Sequence, residues 1–388
     1  MIIRKAVINN FNDVLKLVKN TGCNSAVYES LTNKGMLEPI IIEKIDNRAA
    51  NILKQEAISV GADVALNENI SRFKQGFSDV VLFATLFQFD RLVSKLSLQP
   101  FGLKQIGSDL KRMIIKRKVF KYRNKSLDLS KPVVMGIINL DPNSFSGDGL
   151  TDSNKALEQA IEFERVGAGI IDIGAESSRP GVKPVDSETE IKRLLPVLKR
   201  IRKHIKIPIS IDTYKYETAK IALLEGADII NDIFSLRKGK DKLAKLIADH
   251  KAGLILMHMK GTPKNMQVKP EYKNCTSEVY EFLCNRKSYA MGFGIKEDYI
   301  AVDPGPGFGK TVKHNIELVK NMNVFSSLGA VLGAVSRKQF IRTLVGEDKA
   351  SFITANFLLA FCGADIVRVH DVKETVNIFK IIETFRGI

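Results

Sequence analysis

Acidic and amide side chains stand at the ends of several short apolar segments of this sequence. Asp212, Asn231 and Asp303 lie near the ends of three such segments, and Met257 lies near the end of another. A buried carboxylate can accept two parallel N–H bonds from the edge of an amino-pyrimidinone ring, and an amide can pair with the neighbouring donor and acceptor. A thioether packs well against the flat face of such a ring. These residues therefore predict a pocket for a flat nitrogen heterocycle.

A second set of side chains is mostly basic, and it follows other apolar segments. Guanidinium groups bind phosphate oxygens through two parallel hydrogen bonds. One acid after a strand is often only a helix cap, but polar groups follow every apolar segment of the C-terminal part. The sequence thus predicts that the heterocycle carries an anionic group. The members of this second set are Ser178, Arg179, Arg337, Lys338, Arg368 and His370.

A glycine-rich segment, DPGPGFGK at residues 303–310, lies among these residues. It is superficially similar to a phosphate-binding loop, but its glycine spacing does not match GxxxxGK[ST]. We interpret it as a flexible loop between a strand and a helix.

The elements that must position these residues form a regular series after Lys131. Eight short apolar segments alternate with longer amphipathic ones, and their continuous hydrophobicity is typical of parallel strands covered by helices. The 257 residues from Pro132 to the end match the roughly 250 of a (β/α)8 barrel, in which active sites lie at the C-terminal ends of the strands. We therefore predict this barrel rather than an open sheet. The predicted strands are 132–139, 170–174, 207–212, 229–232, 253–258, 299–303, 331–335 and 366–369.

Residues 1–110 contain strand-like and helical segments, and this pattern predicts a separate, smaller α/β domain of unknown role. Residues 111–131 follow it, and eight of the residues in segment 111–125 are Lys or Arg. Cations with interleaved rings can bind nucleic acid, but no nucleic-acid motif flanks this stretch. We interpret residues 111–131 as a basic connector to the barrel at 132–388, and we expect no nucleic-acid partner.

The composition argues against several classes of protein. The chain of 388 residues is 45% hydrophobic and 26% charged, which is ordinary for a soluble globular protein. No apolar segment approaches the ~18 residues of a membrane-spanning helix, and the N-terminus lacks the pattern of a secretory signal. The four cysteines are scattered, which argues against a zinc site or a disulfide framework. We therefore expect a cytoplasmic protein with no membrane association. The net charge of +16 fits nucleic acid, a small anionic substrate or simply a lysine-rich surface.

In order along the chain, these segments resemble the motif series of the dihydropteroate synthase family. The resemblance covers residues 132–388 and rests on MGIINLDPNSFSGDG, IIDIGAESSRPG, SIDTYK, ADIINDI, LILMHMKGTPKNMQ, DPGPGFGK, SRK and RVHDV. It implies a transferase of folate biosynthesis that condenses 6-hydroxymethyl-7,8-dihydropterin pyrophosphate with p-aminobenzoate, giving 7,8-dihydropteroate and pyrophosphate. Pyrophosphate departs first, and the aniline then attacks. The resemblance also implies a Mg2+ ion, a homodimer and sensitivity to sulfonamides.

The resemblance further implies a role for each matched residue. The edge of the pterin is assigned to Asp212, Asn231, Asp303 and Lys338, with Met257 in the pocket wall and Arg368 over the ring. The pyrophosphate is assigned to Asn139, Arg179, Arg368 and His370, with Mg2+ at Asn139. The p-aminobenzoate pocket is assigned to Ser178, Phe308 and Ser336, and loops 141–149 and 175–181 are expected to close over the site. The expected catalytic residues are Asp141, Asn143, Arg179 and Lys338.

The first loop departs from the family pattern NVTPDSFSDGG. Asp141 replaces a threonine and adds negative charge near the pyrophosphate. Asn143 replaces a carboxylate that the resemblance assigns to stabilising the pterin methylene cation, which forms when pyrophosphate departs. These changes leave open a variant synthase that uses a different arylamine. A pterin-binding methyltransferase-like barrel would share the acid and amide pocket without a pyrophosphate clamp, and a non-catalytic RNA-associated protein would use segment 111–125. The basic residues at 336–338 and 368–370 favour the synthase.

Overall fold

The structure, a computed structural model, describes residues 8, 11–72, 74–114, 119–140, 153–176 and 183–386. The chain divides into two units, Met1–Lys116 and Arg117–Ile388.

The first unit contains a three-stranded antiparallel sheet in the order β1-β3-β2 among its described residues. Burial alternates along β3, and its inward side chains Val80 and Leu82 share one apolar core with Leu53 and Phe89 of two helices. Alternating burial is expected for a sheet with one covered face. The elements are α1 (Phe11–Asn20), α2 (Tyr28–Lys34), β1 (Leu37–Asp46), α3 (Asn47–Ser59), β2 (Asp63–Ala65), α4 (Glu68–Ser71), β3 (Phe77–Thr85), α5 (Leu86–Leu96) and α6 (Leu103–Ile114).

The second unit begins with a β-hairpin, β4 (Val119–Tyr122) and β5 (Lys125–Asp128). This differs from the basic connector expected over residues 111–131. Phe120 is fully buried among inward side chains of the barrel such as Met135 and Ile229, and the Arg123 guanidinium donates to the carbonyls of Leu223 and Ala227. The aromatic residues Phe120 and Tyr122 of this basic stretch therefore pack in the barrel. The alternation typical of a strand was not recognised because Lys and Arg dominate the segment.

Eight parallel strands among the described residues close a barrel in the order β6-β7-β8-β9-β10-β11-β12-β13. The (β/α)8 barrel and the smaller α/β N-terminal domain predicted from the sequence are confirmed. The barrel strands are β6 (Val133–Asn139), β7 (Ile170–Gly174), β8 (Ile209–Asp212), β9 (Ile229–Asp232), β10 (Gly253–Met257), β11 (Ile300–Asp303), β12 (Ala330–Gly333) and β13 (Ile366–Val369). The helices are α7 (Ser153–Val166), α8 (Ser187–Arg202), α9 (Tyr216–Leu224), α10 (Lys240–Asp249), α11 (Cys275–Gly292), α12 (Val312–Lys320), α13 (Gln339–Val345), α14 (Lys349–Phe361) and α15 (Val372–Arg386).

Strands β7, β9 and β13 have the predicted boundaries, and those of the other five differ from the prediction by one or two residues. For example, β8 begins at Ile209 rather than at residue 207. Pro208 precedes it and has no N–H group to donate to the strand ladder. Within the described ranges, no helix is both long enough and apolar enough to cross a membrane.

Candidate functional site at the mouth of the barrel

The register of the strands brings predicted residues together at the carboxyl end of the barrel. Asn139 pairs with Gly174, Gly174 with Asp212, and Asp212 with Asn231 across neighbouring parallel strands. Because paired residues in a sheet point to the same face, the side chains of Asn139, Asp212 and Asn231 share one side of the sheet. Met257 of β10 pairs in the same way with Asp303 of β11.

Arg368 joins two acids inside this mouth. Its Nε donates to Asp172 Oδ2 at 2.6 Å, and its Nη2 donates to Asp212 Oδ2 at 3.0 Å. Asn231 Nδ2 also donates to Asp172 Oδ2, at 3.3 Å. Charge-assisted bonds of this kind are stronger and more directional than neutral ones. Three predicted residues, Arg368, Asp212 and Asn231, therefore belong to one hydrogen-bonded group, and we call Asp172, Asp212, Asn231 and Arg368 the acid–arginine group.

Asp172 is a member that the sequence analysis missed. It lies in the middle of β7, is fully buried, and its Oδ1 has no hydrogen-bond partner among the described residues. A fully buried acid is rare unless it is paired, so an acid within the apolar run IIDIG was the available signal. It lies two residues before Gly174 and so faces the same side of the sheet. The free oxygen leaves Asp172 able to accept one more hydrogen bond.

Burial changes the proton affinity of Asp212. It raises the pKa of this carboxyl, while the neighbouring charge of Arg368 opposes the change. A low dielectric disfavours the ionised form of an acid, and an adjacent cation favours it. The carboxylate of Asp212 therefore depends on Arg368 for its charge near neutral pH.

Lys338 and Asp303 form the second charged part of the mouth. The Lys338 ammonium donates to the Pro306 carbonyl and lies 4.6 Å from the centre of the Phe308 ring. Burial lowers the pKa of Lys338 to about 8, and Asp303 opposes this shift. Asp303 accepts the Gly305 N–H at 2.7 Å, and burial raises its pKa while Lys338 opposes the rise. Each charge thus stabilises the other in a setting that penalises both.

The glycine-rich segment that follows β11 is held at several points, although we expected a flexible loop. Gly305, Gly307 and Gly309 have φ of 65°, 88° and 68°, a region that favours glycine. Gln267 Nε2 donates to the Gly307 carbonyl and the Tyr272 hydroxyl donates to the Gly309 carbonyl, both at 2.8 Å. The segment therefore has a defined path beside Lys338.

Ser336 and His370, two further predicted residues, contact each other after β12 and β13. Ser336 Oγ lies 3.0 Å from His370 Nδ1 and accepts the His370 N–H at 3.3 Å. Arg337, between Ser336 and Lys338, donates to Asp371 Oδ1 at 2.9 Å. Ser336 and His370 thus extend the mouth beyond the charged groups.

An apolar wall completes the site. Met257 is 3% exposed and belongs to a cluster that includes Phe234 and Met259, with Tyr214 and Phe308 packed against it. Thioethers and aromatic rings of this kind suit the face of a flat ring. The wall and the charged groups together can bind a planar, hydrogen-bonding ligand.

Four predicted residues lie outside the described residues, and their positions at the site stay predictions. They are Asp141, Asn143, Ser178 and Arg179.

Comparisons with known proteins agree with this architecture. A family model described as pterin binding enzyme matches residues 135–370, more than half of the chain. A bifunctional dihydropteroate synthase/dihydropteroate reductase of Helicobacter pylori is 32% identical over 381 residues, covering 96% of this chain and 97% of that protein.

Two solved structures are similar to the barrel. The dihydropteroate synthase of Yersinia pestis, in complex with a sulfonamide drug, has a TM-score of 0.65 at 34% identity, covering 69% of this chain and 99% of that chain. The enzyme of Xanthomonas albilineans with 4-aminobenzoic acid has a TM-score of 0.63 at 33% identity, covering 70% of this chain and 99% of that chain. The family match spans the strands that carry the acids, the amide and the arginine of the mouth, and the chain therefore belongs to the dihydropteroate synthase family of pterin-binding enzymes.

Proposed function

We propose that this protein is a dihydropteroate synthase, which condenses 6-hydroxymethyl-7,8-dihydropterin pyrophosphate with p-aminobenzoate in folate biosynthesis. The proposal rests on the charged and amide groups at the mouth of a (β/α)8 barrel that matches the pterin-binding family. These groups are Asp212, Asn231, Arg368, Asp303 and Lys338. The relative solved with 4-aminobenzoic acid supports the second substrate.

The acids and the amide are suited to the pterin. Asp212 and Asp303 can accept N–H groups of the ring, and Asn231 can pair with a neighbouring donor or acceptor. Met257 would lie against one face of the ring, and Arg368 would lie over it. In this arrangement the buried polar groups find partners when the ring binds, which is a strong source of specificity because unpaired buried groups are costly.

The same residues suit the reaction itself. Departure of pyrophosphate leaves a methylene cation conjugated with the dihydropterin, and the carboxylates of Asp172, Asp212 and Asp303 favour developing positive charge. Arg179, Arg368 and His370 would hold the departing pyrophosphate, with Asp141 and Asn143 close to the reacting carbon. The weakly basic arylamine then attacks in a pocket formed by Ser178, Phe308 and Ser336. No strong general base is needed. The loops at 141–149 and 175–181, most of which lie outside the described residues, are expected to close and exclude water that would otherwise capture the cation.

We also propose that Mg2+ accompanies the pyrophosphate at Asn139. A Cβ atom placed on Gly174 would lie 3.7 Å from Asn139 Oδ1 and 3.8 Å from Asp212 Oδ2, so glycine leaves these two oxygens facing the same space. Oxygen ligands of this kind fit Mg2+, which usually takes one or two protein ligands together with substrate phosphates. Bound there, the ion would neutralise charge on the leaving group.

A coupled pyrophosphate-release assay tests the proposal. The purified protein is mixed with dihydropterin pyrophosphate, Mg2+ and p-aminobenzoate, and then with a panel of other anilines. We expect release that depends on p-aminobenzoate. Release that prefers another aniline would indicate the variant synthase, whereas no release with any aniline, together with pterin binding, would indicate the methyltransferase-like alternative. Sulfonamide is expected to inhibit, as the drug complex of the Yersinia pestis relative suggests.

Asp172→Asn is expected to lower kcat/KM for the dihydropterin substrate by about tenfold. Asp172 Oδ2 accepts from both Arg368 and Asn231. An amide oxygen can take the place of Oδ2, but the NH2 group would then lie at the position of Oδ1, which is buried with no acceptor beside it among the described residues, and Arg368 would lose a charged partner. A buried donor without a partner costs about 1–3 kcal/mol. The exposed acid at the end of α10, Asp249, provides the control: Asp249→Asn should be neutral. Equal activity of both variants would contradict a role for Asp172.

The affinity for the dihydropterin substrate is expected to fall above pH 8. The pKa of Lys338 is lowered to about 8, so its ammonium is present below that pH and is lost as the pH rises through it. Beyond this point, the dissociation constant should rise by up to about tenfold per pH unit, the limit for loss of one proton. Isothermal titration calorimetry between pH 6.5 and 9.5 measures the effect. If Lys338→Met shows the same fall in affinity above pH 8, the titrating group is not Lys338.

We propose a homodimer, and the exposed face of α14 supports it. Phe361 is 60% exposed and Leu358 is 43% exposed, and the rings of Phe357 and Phe361 are 5.7 Å apart. Exposed apolar groups in one place commonly mark an interaction site. Light scattering should give a dimer for the wild type and a monomer for Phe361→Glu. Leu224→Glu, at an exposed apolar residue of α9, should remain dimeric. A monomeric wild type would contradict the proposal.

We further propose a cytoplasmic location. All four cysteines lie within the described ranges, and none is joined in a disulfide. Free thiols are typical of reducing compartments. Fractionation of the native cells, followed by detection of the protein, tests the proposal.

A second candidate function is reduction of dihydropteroate. The bifunctional relative from Helicobacter pylori aligns with 96% of this chain and thus with residues of both units. The test uses the full chain with 7,8-dihydropteroate and reduced nicotinamide, with and without flavin. Loss of absorbance at the reduced nicotinamide band with formation of tetrahydropteroate would support it, and no turnover with any donor would exclude it.

A further inference from the structure

Lys310 is a buried lysine to which the proposed reaction gives no role. It ends the glycine-rich segment after β11 and is 3% exposed. Its Nζ lies 2.8 Å from His258 Nδ1, 3.0 Å from the Gly305 carbonyl and 3.0 Å from the Phe308 carbonyl. It therefore ties three points of the chain together beneath the loop.

The acceptors around Lys310 suit an ammonium group. Lysine in its charged form has three N–H donors; the three short contacts supply one acceptor for each, and the His258 carbonyl, at 3.4 Å, is a fourth and more distant acceptor. His258 can accept because burial and the charge of Lys310 lower its pKa to about 2, so its ring is neutral. Burial also lowers the pKa of Lys310, to about 7. A buried cation is costly, so Lys310 needs these contacts to remain charged.

The loop that Lys310 holds also supports the charged half of the mouth. The Pro306 carbonyl accepts from the Lys338 ammonium, and the Phe308 ring lies 4.6 Å from it. A Cβ atom placed on Gly305 would come within 2.0 Å of the His258 carbonyl, so the loop lies directly against His258. Movement of this loop would displace both contacts of Lys338.

We propose that Lys310, seated on His258, is a positioning residue that fixes the Lys338 ammonium and the Phe308 ring through the loop at 305–309. Its Nζ is occupied by the chain's own acceptors, so it acts on the substrates only through these two side chains. The proposal rests on the synthase function proposed above, because Lys338 and Phe308 are assigned there to the pterin edge and the p-aminobenzoate pocket.

A double-mutant cycle separates this role from a general effect on folding. Lys310→Met, Lys338→Met and the double variant are compared with wild type by kcat/KM in the pyrophosphate-release assay. We expect Lys310→Met to lower kcat/KM by 10- to 100-fold in the wild-type background and by a clearly smaller factor in the Lys338→Met background, where only the effect through Phe308 remains. Coupled residues show such non-additivity, whereas independent ones add. Equal fold losses in the two backgrounds, or no loss in either, would overturn the proposal.

Two further sets of variants complete the design. Lys313→Met, at an exposed lysine on α12, should be neutral. His258→Leu should lower kcat/KM as Lys310→Met does, and His258→Asn should recover most of it, because the amide oxygen can take the place of Nδ1. If Lys310→Met does not fold, the two His258 variants decide: equal activities in both would overturn the proposal.

The outcome can be distinguished from failure of the proposed function. If the wild type releases no pyrophosphate, the synthase proposal fails, and the same cycle is measured by calorimetry with dihydropterin pyrophosphate. An affinity that falls on Lys310→Met only when Lys338 is present would still support the positioning role, and an unchanged affinity would exclude it.

Discussion

Arg368→Met is expected to lower kcat/KM by at least 1,000-fold and the free energy of unfolding by about 3–5 kcal/mol, the usual cost of breaking a buried ion pair. Arg368 donates to Asp172 at 2.6 Å and to Asp212 at 3.0 Å. Methionine fills similar space without charge, so Asp172 would lose its cation inside the barrel and Asp212 would be protonated more readily. The loss of activity should exceed the loss of stability, because Arg368 also lies where the pterin and pyrophosphate are proposed to bind.

Two comparisons make this prediction specific. Arg368→Lys should retain most of the stability but lose at least tenfold in kcat/KM, because an ammonium is a point charge and cannot span two acids as a guanidinium does. Arg165→Met breaks an exposed pair in which Nε lies 2.6 Å from Glu162, and it should change the free energy of unfolding by less than about 1 kcal/mol. Urea denaturation and steady-state kinetics supply both numbers. A stable, active Arg368→Met would contradict the acid–arginine group.

The polar side chains at the strand ends could be expected to lie together, whereas the partners of the acid inside a strand could not be predicted. Asp212, Asn231 and Asp303 end or nearly end apolar segments, and a barrel directs such ends to one face. Asp172 lies within an apolar segment, where periodicity gives no information on its partners. Its role depends on closure of the barrel, which brings Arg368 of the last strand within 2.6 Å of Asp172 on the second.

Two other features depend on three-dimensional packing in the same way. The basic stretch before the barrel reads as a solvated connector by composition, but Phe120 within it is fully buried. The glycine-rich segment has the composition of a flexible loop, but the side chains that hold it, Gln267 and Tyr272, come from residues well before it. Composition describes each segment by itself, and these contacts join segments distant in sequence.

The burial of Asp212 and Asp303 explains why the mouth of the barrel needs both Arg368 and Lys338. Burial raises the pKa of Asp212 and of Asp303, and the cation nearest to each, Arg368 and Lys338 respectively, opposes the rise. The two cations therefore favour the ionised, hydrogen-bond-accepting form of these acids, the form in which they are proposed to bind the pterin. A preorganised site of this kind does not have to reorient its dipoles during the reaction.

Lys338→Met is expected to weaken binding of dihydropterin pyrophosphate by about 10- to 150-fold, which corresponds to about 1.5–3 kcal/mol for a hydrogen bond to a charged group. Lys338 is proposed to contact the pterin edge, and its charge supports Asp303. Asp303→Asn should weaken binding by a similar factor, since asparagine has one acceptor atom instead of two and its NH2 group would face a donor, either the Gly305 N–H or an N–H of the ring. Because the two side chains act on each other, the double variant should lose less than the product of the two single losses.

Calorimetry with dihydropterin pyrophosphate measures the three affinities, and urea denaturation shows whether each variant remains folded. Lys320→Met, at an exposed lysine that ends α12, should bind like the wild type and controls for loss of one positive charge from a basic protein. If Lys338→Met and Asp303→Asn both bind with wild-type affinity, these residues do not hold the pterin, and the site must be sought elsewhere around the mouth. If only the double variant binds weakly, the two side chains substitute for each other, and the predicted coupling has the wrong sign.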